Sequence, residues 1–241
     1  RPCFRLRGDL VPVKINPYTY DDVIDVARIV IKDEETRNQV EELKELDGSF
    51  AIPKLCRLRY NYLRYQGKAG LILRIIDATI PSSEDLKLPP VINKIALAHK
   101  GLVLVIGATG SGKSSTLAAM INHINENEAV HILTLEDPVE FIHPVKKARI
   151  TQREIGEDTD DFASALRSAL RQDPDIILIG EMRDAETISI AIKAAETGHL
   201  VFGTVHTTDA LNTVGRLISM FPPEEQDAVR ARIVDNLYAT V

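Results

Sequence analysis

The amino-acid sequence predicts an α/β fold in two parts, a small α+β domain followed by a larger domain with a mostly parallel sheet. After residue 90, apolar strand patterns alternate with amphipathic helix patterns, which is typical of a sheet covered by helices on both faces. A glycine-rich loop, Gly107-Ala-Thr-Gly-Ser-Gly-Lys-Ser114, lies between one such strand and helix. Three prolines and several polar residues in 80–90 indicate a linker. We therefore predict domains over 1–79 and 91–241.

The composition fits such a protein and excludes several classes. A chain of 241 residues that is 44% hydrophobic and 27% charged can form one large or two modest domains with real cores. The sequence contains no apolar run of membrane-spanning length and no N-terminal signal pattern. Cys3 and Cys56 provide no disulfide or metal framework, so we expect a reducing cytoplasm. The chain lacks an initiator Met and stops at Ala239-Thr-Val241 inside a helical pattern, and we interpret it as a fragment.

The charge is unevenly distributed along the chain. Residues 1–90 carry a net charge of +1, whereas residues 91–241 carry a net charge of −7. Binding to nucleic acid depends on clustered cations that neutralise phosphates. The acidic second part therefore argues against nucleic acid as a partner.

The first 79 residues contain patterns that predict a small α+β domain. Two short strands are expected around a Gly8-Asp9 turn, and helices over Tyr20–Ile31 and Glu34–Leu46. Three strands are then predicted at Ser49–Ile52, Cys56–Tyr65 and Lys68–Ile76. In the middle strand, alternation places Leu58, Tyr60, Tyr62 and Arg64 on one face and Arg57, Arg59 and Asn61 on the other.

The remaining residues alternate between the two patterns. The helix at 160–171 repeats apolar residues at Phe162, Leu166, Ala169 and Leu170, which is the stripe of a helix docked on a sheet. The predicted strands are Leu102–Ile106, Val130–Leu135, Ile176–Ile179 and Leu200–Val205. The predicted helices are Val91–His99, Lys113–Asn125, Asp160–Arg171, Ala185–Thr197, Ala210–Ser219 and Glu224–Tyr238.

The glycine-rich loop has the pattern of a phosphate-binding loop, two glycines separated by four residues and followed by Lys and Ser. Gly107, Gly110 and Gly112 permit backbone angles that turn successive N–H groups into one concavity. The helix that follows adds its partial positive end. Lys113 would reach the β- and γ-phosphates, and the Ser114 hydroxyl would ligate Mg²⁺. The loop therefore predicts binding of a nucleoside polyphosphate.

Acidic residues follow two of the predicted strands. Glu136 and Glu140 come after Val130–Leu135, and Glu181 comes after Ile176–Ile179. Hydrolysis of the β–γ bond needs charge stabilisation, Mg²⁺ and a group that orients water, so these carboxylates are catalytic candidates. Gly180 stands where the second signature of phosphate-loop enzymes usually has Asp.

His206 emerges at the carboxyl end of the strand Leu200–Val205, where open α/β sheets bind their ligands. Thr204, Thr207 and Thr208 lie beside it. This placement leaves two interpretations open, a structural histidine or a contact to the γ-phosphate or to water.

Together, four motifs resemble those of the type II/type IV secretion ATPase superfamily. The segments 107–114, 134–143, 151–184 and 197–210 resemble its Walker A, Asp box, Walker B and His box. Within the superfamily, Phe221-Pro-Pro-Glu-Glu-Gln-Asp-Ala-Val-Arg230 and the short front domain are similar to the PilT/PilU group of type IV pilus retraction motors. The resemblance covers nearly the whole chain.

The resemblance implies a fold, an assembly and site residues. It implies a PAS-like N-terminal domain, a RecA-like ATPase domain that is incomplete at its C-terminus, and a homohexamer that hydrolyses ATP with Mg²⁺. Glu140 would be the main catalytic carboxylate, with Glu136 its rival and Glu181 the Walker B acid and a metal ligand beside Ser114. The other implied catalytic residues are His206, Arg59, Arg74 and Arg64. The implied nucleotide-binding residues are Gly107, Ala108, Thr109, Gly110, Ser111, Gly112, Lys113, Ser114, Ser115, Thr116, His199 and Arg183.

The functional interpretation is a motor for type IV pilus retraction and twitching motility. It would be cytoplasmic and peripheral to the inner membrane through a pilus platform protein, with neither nucleic acid nor zinc as a partner. The family's retraction motif would lie beyond Val241. A pilus-assembly or type II secretion ATPase stays open as an alternative, as do a RecA-like nucleic-acid translocase and a slowly hydrolysing nucleotide-binding scaffold.

Overall fold

Two units make up the chain in the computed structural model, Arg1–Ala78 and Thr79–Val241. The structure describes residues 2–6, 8–52, 55–76, 79–207 and 209–241. Across these residues, each helix falls short of the length and apolar character that a bilayer span requires.

Unit 1 contains a three-stranded antiparallel sheet with a helix packed against it. The sheet order is β3-β4-β5, and a separate hairpin pairs β1 with β2. Ile24, Ala27 and Val30 of the helix α1 pack with Tyr60 and Tyr62 of the sheet. The elements are β1 (Cys3–Leu6), β2 (Asp9–Pro12), α1 (Tyr20–Val30), α2 (Glu34–Asn38), β3 (Glu45–Ile52), β4 (Cys56–Tyr65) and β5 (Lys68–Ile76).

The alternation predicted for β4 is confirmed, because Leu58, Tyr60 and Tyr62 are all buried. The predicted second helix is wrong beyond Asn38. Residues 39–44 form turns and irregular structure, and the last two predicted helical residues belong to β3, which begins at Glu45 opposite Leu63 of β4. Antiparallel pairing of all eight β3 residues with Cys56–Leu63 of β4 here overrides the helical propensity of Glu45 and Leu46.

Unit 2 contains a six-stranded sheet in which every described pairing is parallel, in the order β11-β6-β10-β9-β7-β8. Parallel strands need crossover connections, and most of those here are helices. The elements are α3 (Val91–Ala96), β6 (Gly101–Ile106), α4 (Lys113–Asn127), β7 (His131–Glu136), β8 (Arg149–Glu154), α5 (Phe162–Ala169), β9 (Ile176–Ile179), α6 (Ala185–Glu196), β10 (Leu200–Val205), α7 (Ala210–Ser219), α8 (Gln226–Asn236) and β11 (Leu237–Thr240).

Both faces of this sheet carry a core, as the apolar strands predict. One core gathers residues of α5, α6, α7 and α8, including Leu166, Ala191 and Ile233. The other gathers residues of α3 and α4, including Ile92 and Met120. The α/β fold class is therefore confirmed, with the sheet buried between two helical layers.

Two of the described strands were not predicted from the sequence. β8 is an edge strand whose only apolar residue is its second, Ile150, so it lacks the apolar run of its neighbours. Residues Leu237–Thr240 were predicted to continue the last helix, but α8 ends at Asn236 and β11 pairs with β6. The helical interpretation of the chain's last residues is therefore wrong.

The segment 80–90, which we predicted as a linker, belongs to unit 2. It contains a turn, Leu88 packs against the core beside α4, and Ser83 Oγ donates a hydrogen bond to Asn93 Oδ1 at 2.7 Å. The boundary between the two units falls after Ala78, ahead of this segment.

Candidate nucleotide site

The carboxyl ends of four adjacent strands bring the motifs to one edge of the sheet. The neighbours β6, β10, β9 and β7 end at Ile106, Val205, Ile179 and Glu136, and their registers keep these ends within two residues of one another. Loops that follow parallel strands meet at this edge, where open α/β sheets bind their ligands. The phosphate loop, the Asp box, Glu181 and His206 therefore lie along one edge.

The phosphate loop has the backbone that its sequence predicts. Gly107, Gly110 and Gly112 have positive φ angles of 146°, 79° and 100°. A Cβ atom on Gly107 would clash with the Ser111 hydroxyl oxygen and force it to move, and the positive φ angle itself favours glycine. Gly112 caps α4, which begins at Lys113 and directs its first N–H groups and its partial positive charge toward the loop.

Lys113 connects the phosphate loop to the strand beside it. Its side chain is 9% exposed, and Nζ donates to the carbonyl oxygens of Gly107 at 2.9 Å and Ala108 at 3.0 Å. The same Nζ lies 3.4 Å from Nδ1 of His206, which follows β10. The ammonium group is thus held inside the loop, where phosphate oxygens would replace these weaker neutral acceptors.

His206 continues this line of contacts into the Walker B region. Its Nε2 lies 3.4 Å from Glu181 Oε1, so a ring that accepts from Lys113 and donates to Glu181 satisfies both neighbours. The other Glu181 oxygen accepts from Arg183 Nε at 2.6 Å, and Arg183 Nη2 lies 3.6 Å from Asp137 Oδ2. These contacts connect residues of the four motifs in one polar chain.

Gly180 has a steric reason to stand where related signatures have Asp. A Cβ at this position would come within 3.1 Å of both Leu135 O and Glu136 Cα, at the end of β7. The Gly180 N–H donates to Leu135 O at 2.7 Å, and its carbonyl accepts from the Thr204 hydroxyl of β10. Close packing of Gly180 between β7 and β10 therefore fixes the backbone immediately before Glu181.

The two Asp-box carboxylates differ in their surroundings. Glu136 is half-buried, and its Oε1 accepts from the Thr134 hydroxyl at 2.7 Å and from Gln152 Nε2 at 3.2 Å. Burial raises the pKa of Glu136, hydrogen bonds from Thr134, Gln152 and the Glu140 backbone lower it, and the charge of Glu140 adds a smaller rise. Glu140 itself is exposed.

Several predicted residues are not brought to this edge. His199 precedes β10 at the opposite end of the sheet, roughly 20 Å of strand from His206, and its Nδ1 lies 2.9 Å from Ala194 O. The structure therefore separates His199 from the phosphate loop of its own unit. Thr208 lies outside the described residues.

The three arginines lie in unit 1, on two faces of its sheet. Arg59 and Arg74 are directly opposite each other on β4 and β5 and so share one face. Arg64 is on the other face, where its Nη1 donates to Glu41 O at 2.6 Å and its guanidinium lies 5.6 Å from the centre of the Tyr20 ring. Arg64 is thus part of the packing around α1 and is separated from the other two.

Three polar residues that sequence reasoning missed hold the Asp-box segment. They are Asn125, Gln152 and Glu154, whose side chains bond backbone groups between residues 139 and 146. The polar residues of Thr151-Gln-Arg-Glu154 just before Ile155 were a signal for the latter two, because polar side chains at alternate positions of an edge strand share a face.

Comparison with known proteins identifies relatives over the whole chain. A family model described as type II/IV secretion system protein matches residues 48–233. A twitching motility protein of Neisseria gonorrhoeae is 47% identical over 240 residues, which is 100% of this chain and 64% of that protein. The type IV pilus retraction ATPase PilT of Pseudomonas aeruginosa is 45% identical over 240 residues, 100% of this chain and 70% of its own length.

A solved structure supports the same assignment. The crystal structure of the pilus retraction motor PilT with bound ADP superposes with a TM-score of 0.93 at 43% identity, covering 99% of this chain and 70% of that one. Against both the gonococcal protein and this structure, the chain thus spans about two thirds of its relatives. The chain belongs to the type II/IV secretion system protein family, within which it is PilT-like.

Proposed function

We propose that this chain is the core of an ATP-hydrolysing motor that drives retraction of a type IV pilus. The observation that carries the proposal is the polar chain from Lys113 through His206 to Glu181, at the mouth of a phosphate loop. It joins the group that would bind the terminal phosphate to an acid that follows a neighbouring strand. A change of charge at the phosphate would therefore alter the electrostatic environment of the Glu181 carboxylate.

The residues at this edge of the sheet would have different roles in ATP hydrolysis. The loop N–H groups and Lys113 would bind the β- and γ-phosphates of ATP and stabilise the charge that develops on them. Glu140 would orient the attacking water, because it is exposed, whereas one Glu136 oxygen is already engaged by Thr134 and Gln152. His206 would relay the loss of the γ-phosphate to Glu181.

The oxygen ligands near the loop fit Mg²⁺. The hydroxyl of Ser114, at the start of α4, and the carboxylate of Glu181 are the hard donors that Mg²⁺ prefers, usually with phosphate oxygens and water completing its shell. When bound, the ion would neutralise charge between the β- and γ-phosphates.

Retraction is favoured over assembly by the extent of the similarity. The relatives named for twitching motility and pilus retraction match through unit 1 as well as through the ATPase unit. We accordingly propose a homohexamer that works at the inner membrane on a pilus platform protein. A nucleic-acid translocase is disfavoured by the net charge of −7 over residues 91–241.

Steady-state ATP turnover with and without DNA tests the proposal. Lys113→Ala should abolish hydrolysis and weaken ATP binding, because the loop's only Lys supplies the charge at the phosphates. Glu140→Gln should bind ATP and fail to hydrolyse it. Lys100→Ala, an exposed cation just before β6, is the matched control and should turn over ATP normally. Normal turnover in Lys113→Ala, or turnover that depends on DNA, would overturn the motor proposal.

A further inference from the structure

The segment that carries Glu140 has no secondary structure of its own. Residues 137–148 form neither helix nor strand, although they follow β7 at the edge where the phosphate loop lies. A catalytic carboxylate on such a segment keeps its position only if other groups satisfy and fix the backbone around it.

Side chains of β8 hold this backbone on both sides of Glu140. Before it, the N–H of Val139 donates to Glu154 Oε2 at 3.1 Å, and Glu154 is only 5% exposed. After it, Phe141 O accepts from Gln152 Nε2 at 2.8 Å. The N–H of His143 donates to Gln152 Oε1, also at 2.8 Å. Gln152 and Glu154 are two residues apart on one strand, and the backbone groups that they bond also recur at every second residue.

Gln152 also connects the two Asp-box carboxylates. Its second Nε2 hydrogen points to Glu136 Oε1, 3.2 Å away, while the first bonds the residue after Glu140. The amide group therefore uses both donors and its acceptor on the Asp box, which no other side chain of that length can do. A carboxylate or a thioether at this position would lose at least two of these three bonds.

The far end of the segment is anchored to the helix of the phosphate loop. Asn125 of α4 is fully buried, its Nδ2 donates to Pro144 O at 2.7 Å, and its Oδ1 accepts from the Lys146 N–H at 3.2 Å. The segment is thus fixed at one end by α4 and near Glu140 by β8. The anchor on α4 sets where the segment ends, and the contacts on β8 set where Glu140 lies.

We propose that Gln152 and Glu154 are positioning residues for ATP hydrolysis. They act through the backbone at Val139, Phe141 and His143 and hold the Glu140 carboxylate at the edge of the sheet. This inference rests on the proposed ATPase function and adds to it two residues that touch no phosphate.

The test compares kcat with nucleotide affinity in the full chain. Gln152→Met and Glu154→Met keep the approximate volume and remove the hydrogen bonds, so kcat should fall about tenfold to a hundredfold. The Kd for ADP should stay within threefold of wild type, because three strands (β10, β9 and β7) separate β8 from β6, the strand that leads into the phosphate loop. Glu154→Gln keeps an oxygen that accepts from Val139 and should restore most of the activity. Arg149→Gln, an exposed change on the same strand, is the matched control.

Gln152→Glu serves where Gln152→Met fails to fold, since it is nearly isosteric and still loses both donated bonds. Unchanged kcat in the folded Gln152 variant, or a parallel loss of kcat and ADP affinity, would overturn the positioning role. A wild-type chain that binds ADP and does not hydrolyse ATP would instead contradict the proposed function itself. The two failures are therefore distinguishable.

Discussion

Buried polar side chains at the edge of the sheet that carries the candidate nucleotide site form specific hydrogen bonds. Thr134, Thr204 and Glu154 are each 5% exposed or less, and each has a hydrogen-bond partner within the site. His143 is different, because among the described residues its buried Nδ1 has no hydrogen-bond partner. Burial, and secondarily the charge of Lys146, lowers the pKa of this ring to about 4.

His143 should therefore make the protein sensitive to acid. The unfolded chain takes up a proton on this ring near pH 6.5 and the folded chain near pH 4, so stability falls as the pH drops through that window. The loss attributable to the ring is at most about 3 kcal/mol at pH 4. His143→Leu should remove it, as measured by urea unfolding of wild type and variant between pH 7 and pH 4.

The difference in acid sensitivity between wild type and His143→Leu isolates the contribution of His143. The raised pKa of Glu136 acts in the opposite direction, because its folded-state protonation adds stability in acid, and it is present in both proteins. An exposed histidine, His99, provides the control as His99→Leu. Equal acid sensitivity of wild type and His143→Leu would contradict the expectation.

At the scale of elements, the close approach of β7 and β9 fixes the backbone at Gly180, immediately before Glu181. Gly180→Ala places a methyl group 3.1 Å from backbone atoms of Leu135 and Glu136, which are held in the sheet and cannot move aside. We expect a loss of about 1–3 kcal/mol in the free energy of unfolding.

The control for this substitution has the opposite sign. Gly215, within α7, has open space where an added methyl group would stand, and Gly215→Ala should stabilise the protein by up to about 1 kcal/mol. Urea denaturation of both variants and of wild type measures these changes in the free energy of unfolding. A Gly180→Ala protein as stable as wild type would show that the strands can separate without cost.

The same scale shows what the sequence could predict. Strands buried on both faces, such as Ile176–Ile179 and Leu200–Val205, are continuous apolar runs, and their predicted bounds agree with the structure. The edge strand β8 is exposed or half-buried along most of its length, so its sequence is polar and was not recognised. β11 was predicted as helix because local periodicity cannot register its long-range pairing with β6.

Some residues of the candidate site could be predicted from the sequence, and others could not. The phosphate loop was predictable because its glycines and Lys113 have fixed spacing and local geometric reasons. Gln152 and Glu154 were not, because their function depends on a segment more than eight residues away that the sheet brings beside them. His199 was carried to the site by resemblance, and the strand between it and His206 places it at the other end.

At the scale of the whole molecule, the arginines of unit 1 raise a separate expectation. Arg59 and Arg74 are directly opposite each other on β4 and β5, and like charges at such positions repel at a cost of a few tenths of a kcal/mol. Such a pair suits an anion, and Arg stays charged and binds phosphate oxygens in a bidentate way. We expect the Arg59→Ala/Arg74→Ala protein to bind ADP normally and to lose hydrolysis on the order of a hundredfold.

Its control is Lys68→Ala, which removes an exposed cation from the same strand and face as Arg74. ATPase assays on folded variants, with their thermal stability measured in parallel, test the expectation. The double variant should be at least as stable as wild type, because a repulsive pair is gone. Wild-type turnover in the double variant would leave unit 1 without a part in hydrolysis.

The pairing of β11 with β6 has a mechanical consequence. Val241 donates to Leu104 O at 2.8 Å and accepts from the N–H of Ile106 at 2.9 Å, and Ile106 is the residue that immediately precedes the phosphate loop. A load applied along Leu237–Val241 would stress these parallel bonds in shear, so that they resist together instead of opening in turn. Tension on this strand would therefore be transmitted to Ile106, one residue before the loop that we propose binds ATP.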